Sequence, residues 1–507
     1  MSRVAFGCLM GLALVLALAF RLAEPDLRPM HHDEANQAVK FGTLLETGEY
    51  QYDKEDHHGP TLYYLTLPVA WARGQSTLAS LDELTLRAVP AIFGAGLILL
   101  FLLLGGVLGR EAMAASAMLC ALSPVLTYYS RFYIQESLLA FFTTGFLIAL
   151  GRYVQRPGIA MACWAGVCAG FAYATKETAA IVLPAAVAAA FVAHRFTRGP
   201  GPGAGVNLWV RHLVAGIAAA LAVAFVLYSS FFRHPAGVFE SVRAFSTYIE
   251  RGVAAGPHPQ PWDYYLRLLA FSSSGGLVWT EGLVLALALV GLLVTVGRSS
   301  AGFWPRYVAL YAVTTAIAFS LIRYKTPWNL LPFYIGFVLL AGQGAAALVG
   351  RARSRVARAV TVVVLLAAAW HLGLQDWRAN FRYPADPRNP YVYAQTGPDF
   401  LRLARRIADV AAVHPDTNRM LVKVVAGPDK QWPLPWYLRR MTRVGYWSRA
   451  AEAGNLDDAP VIIASQENAA ALDAALGDRY VSEFYGLRPD VLLTVYIDRT
   501  LWSHFLK

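Results

Sequence analysis

The chain has 507 residues, of which 56% are hydrophobic and 15% are charged, and its formal net charge is +11. A soluble domain has about 45 to 50% apolar and about 25% charged residues, so this composition excludes a soluble globular protein and indicates a polytopic membrane protein. The basic residues gather in alternate connections between hydrophobic segments, as the positive-inside rule requires of cytoplasmic loops. The positive charge therefore gives no indication of nucleic-acid binding.

Hydrophobic segments that are long enough to span a membrane, which takes about 20 mostly apolar residues, recur along the chain. We predict about eleven transmembrane helices, centred near residues 13, 98, 120, 145, 166, 186, 220, 287, 314, 339 and 365. The first segment is longer than the usual signal-peptide core and no small-residue cleavage site follows it, so we interpret it as a retained anchor. An odd number of spans, with basic loops that include "GRARSRVAR", puts the N-terminus in the cytoplasm and the C-terminal region outside.

The two ends of the chain differ in pattern. Residues 1–373 contain the predicted spans, whereas residues 374–507 have shorter apolar runs. In the second part "MLVKVV", "PVIIAS" and "VLLTVYI" predict strands and "NAAALDAAL" predicts an amphipathic helix. We therefore predict a transmembrane domain followed by a small extracytoplasmic α/β domain, in a multi-pass protein of the cell (inner or plasma) membrane. "TLYYLTLPVAWAR", residues 61–73, is too short to span and predicts a helix in the outer interface.

Two carboxylates, Asp33 and Glu34, follow the first span in "HHDEA". Charged groups close to the hydrocarbon region are costly, so their default interpretation is functional. A carboxylate in a partly dry cleft can accept a proton from an attacking hydroxyl or amine, while a neighbouring carboxylate can orient it or bind a cation. The alternative is a group of charges that neutralise one another.

A basic set lies opposite this acidic pair, at the outer ends of different helices or in short outer turns. Its members are Arg131, Lys176, Arg323 and Lys325. Fixed donors of this kind suit a phosphate or pyrophosphate group in a low-dielectric setting. The alternative for two of them is a local ion pair, of Arg131 with Glu136 and of Lys176 with Glu177.

Histidines stand beside the carboxylates in both acidic stretches of the first outer loop. His32, Asp56 and His57 could form a divalent metal site, because imidazole and carboxylate together suit zinc or manganese. The alternative, which we favour, is that the imidazoles lie in the interface or orient the carboxylates by hydrogen bonds. His58, which precedes Gly59, is the histidine most expected to contact substrate, and the sequence requires no cofactor.

The segment "DKQWPLPWYLRR" is the clearest feature of the predicted outer domain. Its prolines stiffen the chain while Trp432 and Trp436 offer flat apolar faces on which a sugar ring or the membrane interface can rest. Ordinary packing of this segment onto the membrane domain is an equally good interpretation.

The order of these motifs resembles the GT-C glycosyltransferases. The acidic pair after the first span, "RAVPAIFG", "SRFYIQE" and "RYKTPWNLLP" look like the superfamily of dolichyl-phosphate-mannose protein mannosyltransferases and aminoarabinose transferases. "HHDEA", "YQYDKEDHHGPTLYY", "KTPWN" and "WPLPWY" look more narrowly like the flippase-activity-associated proteins. The resemblance covers nearly the whole chain.

This resemblance implies an enzyme that takes a sugar from a polyprenyl-phosphate-linked donor in the membrane lipid. The sugar is transferred, with inversion, to a glycan, lipid or protein acceptor on the extracytoplasmic face. It implies Asp33 as general base and the basic set as donor-phosphate ligands. Further substrate contacts are expected from His58, Tyr63, Glu136, Trp328, Trp432 and Trp436. A non-catalytic transporter or flippase-associated protein is the alternative, which the gathering of charges at one outer level makes less attractive.

Overall fold

The structure is a computed structural model that describes residues 1–53, 58–197, 206–253, 259–299 and 301–507. Long helices dominate the chain as far as residue 377, with one short hairpin among them. In chain order these elements are α1 (Arg3–Leu22), α2 (His32–Thr47), α3 (Thr61–Ala72), α4 (Glu83–Leu104), α5 (Arg110–Leu122), α6 (Pro124–Ser130), α7 (Glu136–Gln155), α8 (Ile159–Tyr173), α9 (Ala179–Thr197), α10 (Val206–Tyr228), α11 (Ala236–Val253), α12 (Tyr264–Ala270), β1 (Ser272–Ser274), β2 (Leu277–Trp279), α13 (Gly282–Val296), α14 (Phe303–Leu321), α15 (Leu331–Arg351) and α16 (Arg355–Trp377).

All of the predicted span centres lie in helices of this part. Among the described residues, seven helices are long and apolar enough to cross a membrane, and α5 with α6, bent by 59° relative to each other, would make an eighth span. The remaining centres fall in α8 and α13, which are shorter apolar helices, and in α14, which has 19 residues. The prediction of a multi-pass helical membrane protein is confirmed, while the number of crossings stays a prediction.

Polar contacts bring several helix ends to one side of the bundle. Arg87 in the first turns of α4 binds Glu34 of α2. Lys176, between α8 and α9, contacts both Glu136 at the start of α7 and Asn329 just before α15. The loops that were predicted to lie together outside the membrane therefore do lie together at one end of the helix bundle. That this end faces the outside of the membrane stays a prediction.

A separate sheet unit forms the C-terminal part of the chain. Its elements are α17 (Asp399–Val413), β3 (Val422–Val425), α18 (Pro428–Gln431), α19 (Leu434–Tyr437), β4 (Val444–Trp447), β5 (Val461–Ser465), α20 (Gln466–Leu476), β6 (Tyr480–Arg488), β7 (Val491–Asp498) and α21 (Arg499–Phe505). The strand order is β4-β3-β5-β7-β6, with β3 parallel to both neighbours and β7 antiparallel to both of its own. The strands predicted at β3, β5 and β7 and the helix predicted at α20 are all present, and so the prediction of a small α/β unit is confirmed.

The sheet unit begins further along the chain than predicted. The boundary placed after residue 373 falls inside α16, which continues to Trp377. The segment after α16 stays on the helical part, because the Gln395 side-chain amide donates to the carbonyl of Pro29 at 2.8 Å. The compact unit starts with α17 at Asp399, since a boundary set by hydropathy marks the end of the apolar run and not the end of the helix.

The sheet unit docks on the helical part through α19. The Trp436 side chain is fully buried, and its indole nitrogen donates to the Glu83 carboxylate at 3.0 Å. The backbone N–H of Met30 donates to the Tyr437 hydroxyl at 2.9 Å, immediately before α2. This docking ties the sheet unit to the acidic segment and holds the two on one face of the protein.

Candidate active site

The first turn of α2 fixes the two carboxylates through a capping box. The backbone N–H of Asp33 donates to Nδ1 of His31 at 3.1 Å, and the backbone N–H of His31 donates to the Glu34 carboxylate at 2.9 Å. Negative charge is favourable at this end of a helix because the unpaired N–H groups and the helix dipole are positive there. Since consecutive helical residues point about 100° apart, the two carboxylates face different surroundings.

Glu34 faces inward and is fully buried. Arg87 donates to it with two groups, Nε to Oε1 at 2.8 Å and Nη2 to Oε2 at 2.7 Å, and the backbone N–H of Tyr133 donates to Oε1 at 2.9 Å. Burial alone would raise the pKa of Glu34, but the charges of Arg87 and Arg28 and these hydrogen bonds lower it to about 2. No part of Glu34 is accessible to a substrate, which speaks against direct chemistry by this carboxylate, and its predicted orienting role stays a prediction.

Asp33 faces outward, with 42% of its side chain exposed. Its carboxylate lies 3.7 Å from Nδ1 of His31. Burial would raise the pKa of Asp33, but the nearby imidazoles of His31, His32 and His58 and the Lys176 ammonium together hold it below its usual range. The side chain is therefore an accessible carboxylate that stays ionised, so it can accept a proton as a general base does.

Lys176 and Glu136 lie together beside Asp33. The Lys176 ammonium contacts the Glu136 carboxylate and donates to Oδ1 of Asn329 at 3.0 Å. Both members of the ion pair are nearly fully buried, and the second carboxylate oxygen of Glu136 has no hydrogen-bond partner among the described residues. The local partner of Lys176 is thus Glu136 and not Glu177, which was the alternative considered for it.

His58 also reaches the site. Its Nδ1 lies 2.7 Å from the Glu177 carboxylate, and 27% of its side chain is exposed. Its charge contributes to the low pKa of Asp33. The carboxylate of Glu177 orients the imidazole, which agrees with the interpretation that the histidines of this loop hydrogen-bond to carboxylates.

The guanidinium of Arg131 is already occupied by backbone carbonyl groups. Its guanidinium donates to the carbonyls of Phe20 and Ala23, each at 2.7 Å, and to the carbonyl of Glu24 at 2.9 Å. These carbonyls belong to the C-terminal end of α1, where a helix leaves its last carbonyl groups unpaired. The structure therefore gives Arg131 the task of capping a helix, which speaks against the predicted phosphate contact.

Lys325 caps a helix in the same way. Its ammonium donates to the carbonyl of Gln260 at 3.1 Å and to the carbonyl of Ile322, which follows α14, and the residue is only 1% exposed. Arg323, by contrast, is exposed, and the described residues give its guanidinium no ion pair or hydrogen bond. Of the predicted basic set, Lys176 and Arg323 therefore remain available for a phosphate.

We expect Arg131→Met to weaken folding and to leave donor binding unchanged. Three partly buried carbonyl groups at the end of α1 would lose their donor, which should cost about 1 to 3 kcal/mol of unfolding free energy. Thermal unfolding of the purified protein in detergent measures the loss, and the donor KM measures binding. If the variant instead raises the donor KM severalfold and leaves the unfolding temperature unchanged, Arg131 binds the donor phosphate and does not mainly stabilise the fold.

Aromatic side chains form part of the wall around the acidic turn. Trp328 is 8% exposed, and its ring centroid lies 5.7 Å from that of His31 and 5.8 Å from that of Tyr393. The Trp432 ring lies 5.9 Å from His32 and is partly exposed. Both tryptophans lie beside the acidic turn, and contact of either one with substrate stays a prediction.

Two other aromatic residues are not accessible. Tyr63 is fully buried, and its hydroxyl contacts the side-chain amide of Gln37 on α2. Trp436 is fully buried in the docking contact with the helical part. The structure contradicts their predicted substrate contacts, and for Trp436 the packing interpretation is right.

The proposed metal ligands are only partly described. His32 is near the site, whereas Asp56 and His57 lie outside the described residues. In the described ranges no group of three or more His, Cys, Asp or Glu side chains could hold a metal ion. The metal site stays a prediction.

Comparisons with known proteins agree with this architecture. Residues 49–235 match the family model described as dolichyl-phosphate-mannose-protein mannosyltransferase. ArnT from Cupriavidus metallidurans, solved bound to undecaprenyl phosphate, superposes with a TM-score of 0.65 at 16% identity and covers 99% of each chain. The chain has the GT-C fold. No curated protein sequence matches it.

An archaeal member of the same fold is also similar. The oligosaccharyltransferase AglB from Archaeoglobus fulgidus, solved with an inhibitory peptide and a dolichol-phosphate, superposes with a TM-score of 0.61 at 13% identity, over 98% of this chain and 77% of AglB. The similarity to a GT-C glycosyltransferase that the motifs predicted is confirmed. The region matched by the family model contains His58, Glu136 and Lys176 of this GT-C chain, and it begins after Asp33.

Proposed function

We propose that this GT-C chain is a glycosyltransferase that moves a sugar from a polyprenyl-phosphate-linked donor to an acceptor, with Asp33 as the general base. The observation that carries the proposal is the contrast between the two carboxylates of α2. Glu34 is buried and fully paired, whereas Asp33 is ionised and accessible among cationic groups. The fold, which ArnT and AglB share, supports it.

In the proposed reaction the acceptor attacks the anomeric carbon from the side opposite the phosphate. A bond forms between the acceptor oxygen or nitrogen and the anomeric carbon, while the bond from that carbon to the phosphate oxygen breaks. Asp33 takes the acceptor's proton, and the polyprenyl phosphate leaves with the electron pair. Attack opposite the leaving group inverts the anomeric configuration.

Lys176 and Arg323 are the proposed partners of the leaving phosphate. The Lys176 ammonium has three donors, and the described contacts to Glu136 and Asn329 use two of them. The remaining donor can meet a phosphate oxygen. A cation fixed in a partly buried site stabilises the growing negative charge more strongly than one in water.

We propose the extracytoplasmic face of the cell membrane for this chemistry, because the positive-inside rule puts α2 and the sheet unit outside. Cysteine labelling of intact cells at residues 45 and 450 tests this placement. Labelling of both from the outside agrees with it, and labelling of the two from opposite sides contradicts both the topology and the shared face seen in the structure.

The test of the proposed function is transfer by the purified protein in proteoliposomes, with a panel of polyprenyl-phosphate sugars as donors. The expected result is release of polyprenyl phosphate together with a new glycosidic bond. Movement of the lipid-linked sugar across the bilayer without bond formation would support the non-catalytic alternative.

Arg323→Gln should raise the donor KM about tenfold, because a charge-assisted contact with the phosphate is lost, and it should leave unfolding unchanged because the side chain is exposed. Donor titrations at saturating acceptor measure the effect. An unchanged donor KM would show that Arg323 does not contact the donor phosphate. Lys325→Met is the matched comparison, and it should lower thermal stability through its lost carbonyl contacts.

A further inference from the structure

A cavity opens along α2, away from Asp33. Its volume is about 660 Å³, and it is lined by Lys40 and Thr43 of α2, by residues 49–53, and by Ala236 and Glu240 of α11. The size is within the range of small-ligand sites in proteins, about 300 to 1,000 Å³. No step of the proposed reaction uses it.

The cavity and Asp33 lie along the same face of α2. Lys40 follows Asp33 by seven residues on the same helix, which places both on one face of α2 and about 10 Å apart along its axis. A ligand that fills the cavity and reaches the carboxylate must therefore be longer than one sugar residue. The helix holds the two places at a constant distance.

A polar connection also joins the cavity to the site. Tyr52 lines the cavity, and its pKa is raised by burial and then by the negative charge of Glu177. Glu177 in turn binds His58, whose charge acts on Asp33. Tyr52 of the cavity wall therefore lies close enough to the pair of Glu177 and His58 to interact with it electrostatically.

The lining indicates the chemistry of the ligand. Among the described lining residues, Glu49, Asp53 and Glu240 are acidic and Lys40 is basic. Arg243 pairs with Glu240, but the lining itself still carries more negative than positive charge, which disfavours a phosphate or another anion. The hydroxyl group of Tyr50 is buried and has no hydrogen-bond partner among the described residues. Buried polar groups normally have a partner, and a ligand hydroxyl can both donate and accept.

We propose that this cavity binds the non-reacting part of a hydroxyl-rich glycan acceptor, whose reacting hydroxyl lies at Asp33. The proposal rests on the proposed function, because it assigns the acceptor side of the same reaction. According to this proposal, the donor phosphate does not bind in the cavity. Longer acceptors should bind more tightly than short ones, because only they reach from Asp33 into the cavity.

The test fills the cavity without removing a polar group. Ala236→Trp places a large side chain in the wall, and Val242→Trp, at an exposed position further along α11, is the matched control. Acceptor KM is measured with a length series of neutral mannose oligosaccharides at saturating donor. We expect Ala236→Trp to raise the KM of the longer oligosaccharides about tenfold, while the KM of the shortest, the donor KM and the control stay at parent values.

Direct binding of the same oligosaccharides, followed by saturation-transfer NMR, separates this proposal from the proposed function. Binding that is lost in Ala236→Trp and kept in Val242→Trp supports the subsite even if no donor supports transfer. Equal binding and equal KM in all three proteins would overturn the subsite and leave the role of Asp33 standing. Cavity-dependent binding of a peptide acceptor, with none of the oligosaccharides, would overturn the ligand class.

Discussion

Asp33→Asn should lower kcat for sugar transfer about a hundredfold or more and leave the Kd for the lipid-linked donor nearly unchanged. The amide keeps the shape of the side chain and the N-terminal turn of α2, but it cannot accept the acceptor's proton, and loss of a general base usually costs about this much. Single-turnover transfer and donor-binding titrations on the same preparation measure the two quantities separately.

The matched control is Asp26→Asn, which removes an exposed carboxylate from the same loop before α2. It changes the net charge by the same amount and should transfer sugar at the parent rate. If Asp33→Asn also transfers at the parent rate, Asp33 is not the base and the non-catalytic handling of lipid-linked sugars becomes the better account. If both variants transfer sugar slowly, the rate depends on the total negative charge of the loop and not specifically on Asp33.

The pH profile gives a second expectation for Asp33. Because neighbouring positive charges hold its pKa below its usual range, the carboxylate stays ionised until the pH falls below that range. The acidic limb of kcat/KM should therefore lie lower than for an ordinary aspartate. His58→Gln removes one of the positive charges and should move this limb upward, and an unmoved limb would show that His58 does not act on Asp33.

The sequence predicted the long apolar helices and the inner strands well because their signals are local. The span centres follow from hydropathy, and β3 and β5 are mostly apolar, apart from Lys423 and Ser465, and are buried along their whole length. The strand β6 was missed, because buried and exposed positions alternate imperfectly along its nine residues. The pattern of "YVSEFYGLR" is therefore weak evidence for a strand.

The parts of the site that were predicted wrongly depend on contacts far apart in sequence. Asp33 and Glu34 are adjacent acidic residues that the sequence alone does not distinguish. Only the position of the helix cap decides which of the two side chains faces inward. Arg87 lies in the motif "RAVPAIFG", but nothing local shows that its partner is 53 residues away. Arg131 and Lys325 stand near helix C-termini, where basic side chains commonly bind unpaired carbonyls, and this signal favoured capping over phosphate binding.

The ion pair of Glu34 with Arg87 should be the strongest single determinant of folding in this region. Glu34→Gln leaves the Arg87 guanidinium buried without a negative partner, and breaking one side of a buried pair costs about 3 to 5 kcal/mol of unfolding free energy. Chemical unfolding in detergent measures the loss. Glu24→Gln, at an exposed position before α2, is the control and should change unfolding little.

A double-mutant cycle distinguishes lost pairing from lost packing. Arg87→Met should cost as much as Glu34→Gln, whereas the double variant should cost clearly less than the sum, because neither charge is then left alone in the interior. The pH dependence has a fixed sign: the pKa of Glu34 in the folded protein is about 2, so the pair contributes its stability above the ordinary glutamate range and loses it as the pH falls towards 2. That loss should be absent from Glu34→Gln. Additive single-variant effects would mean that the two side chains stabilise α2 independently, and the orientation of Asp33 would then need another cause.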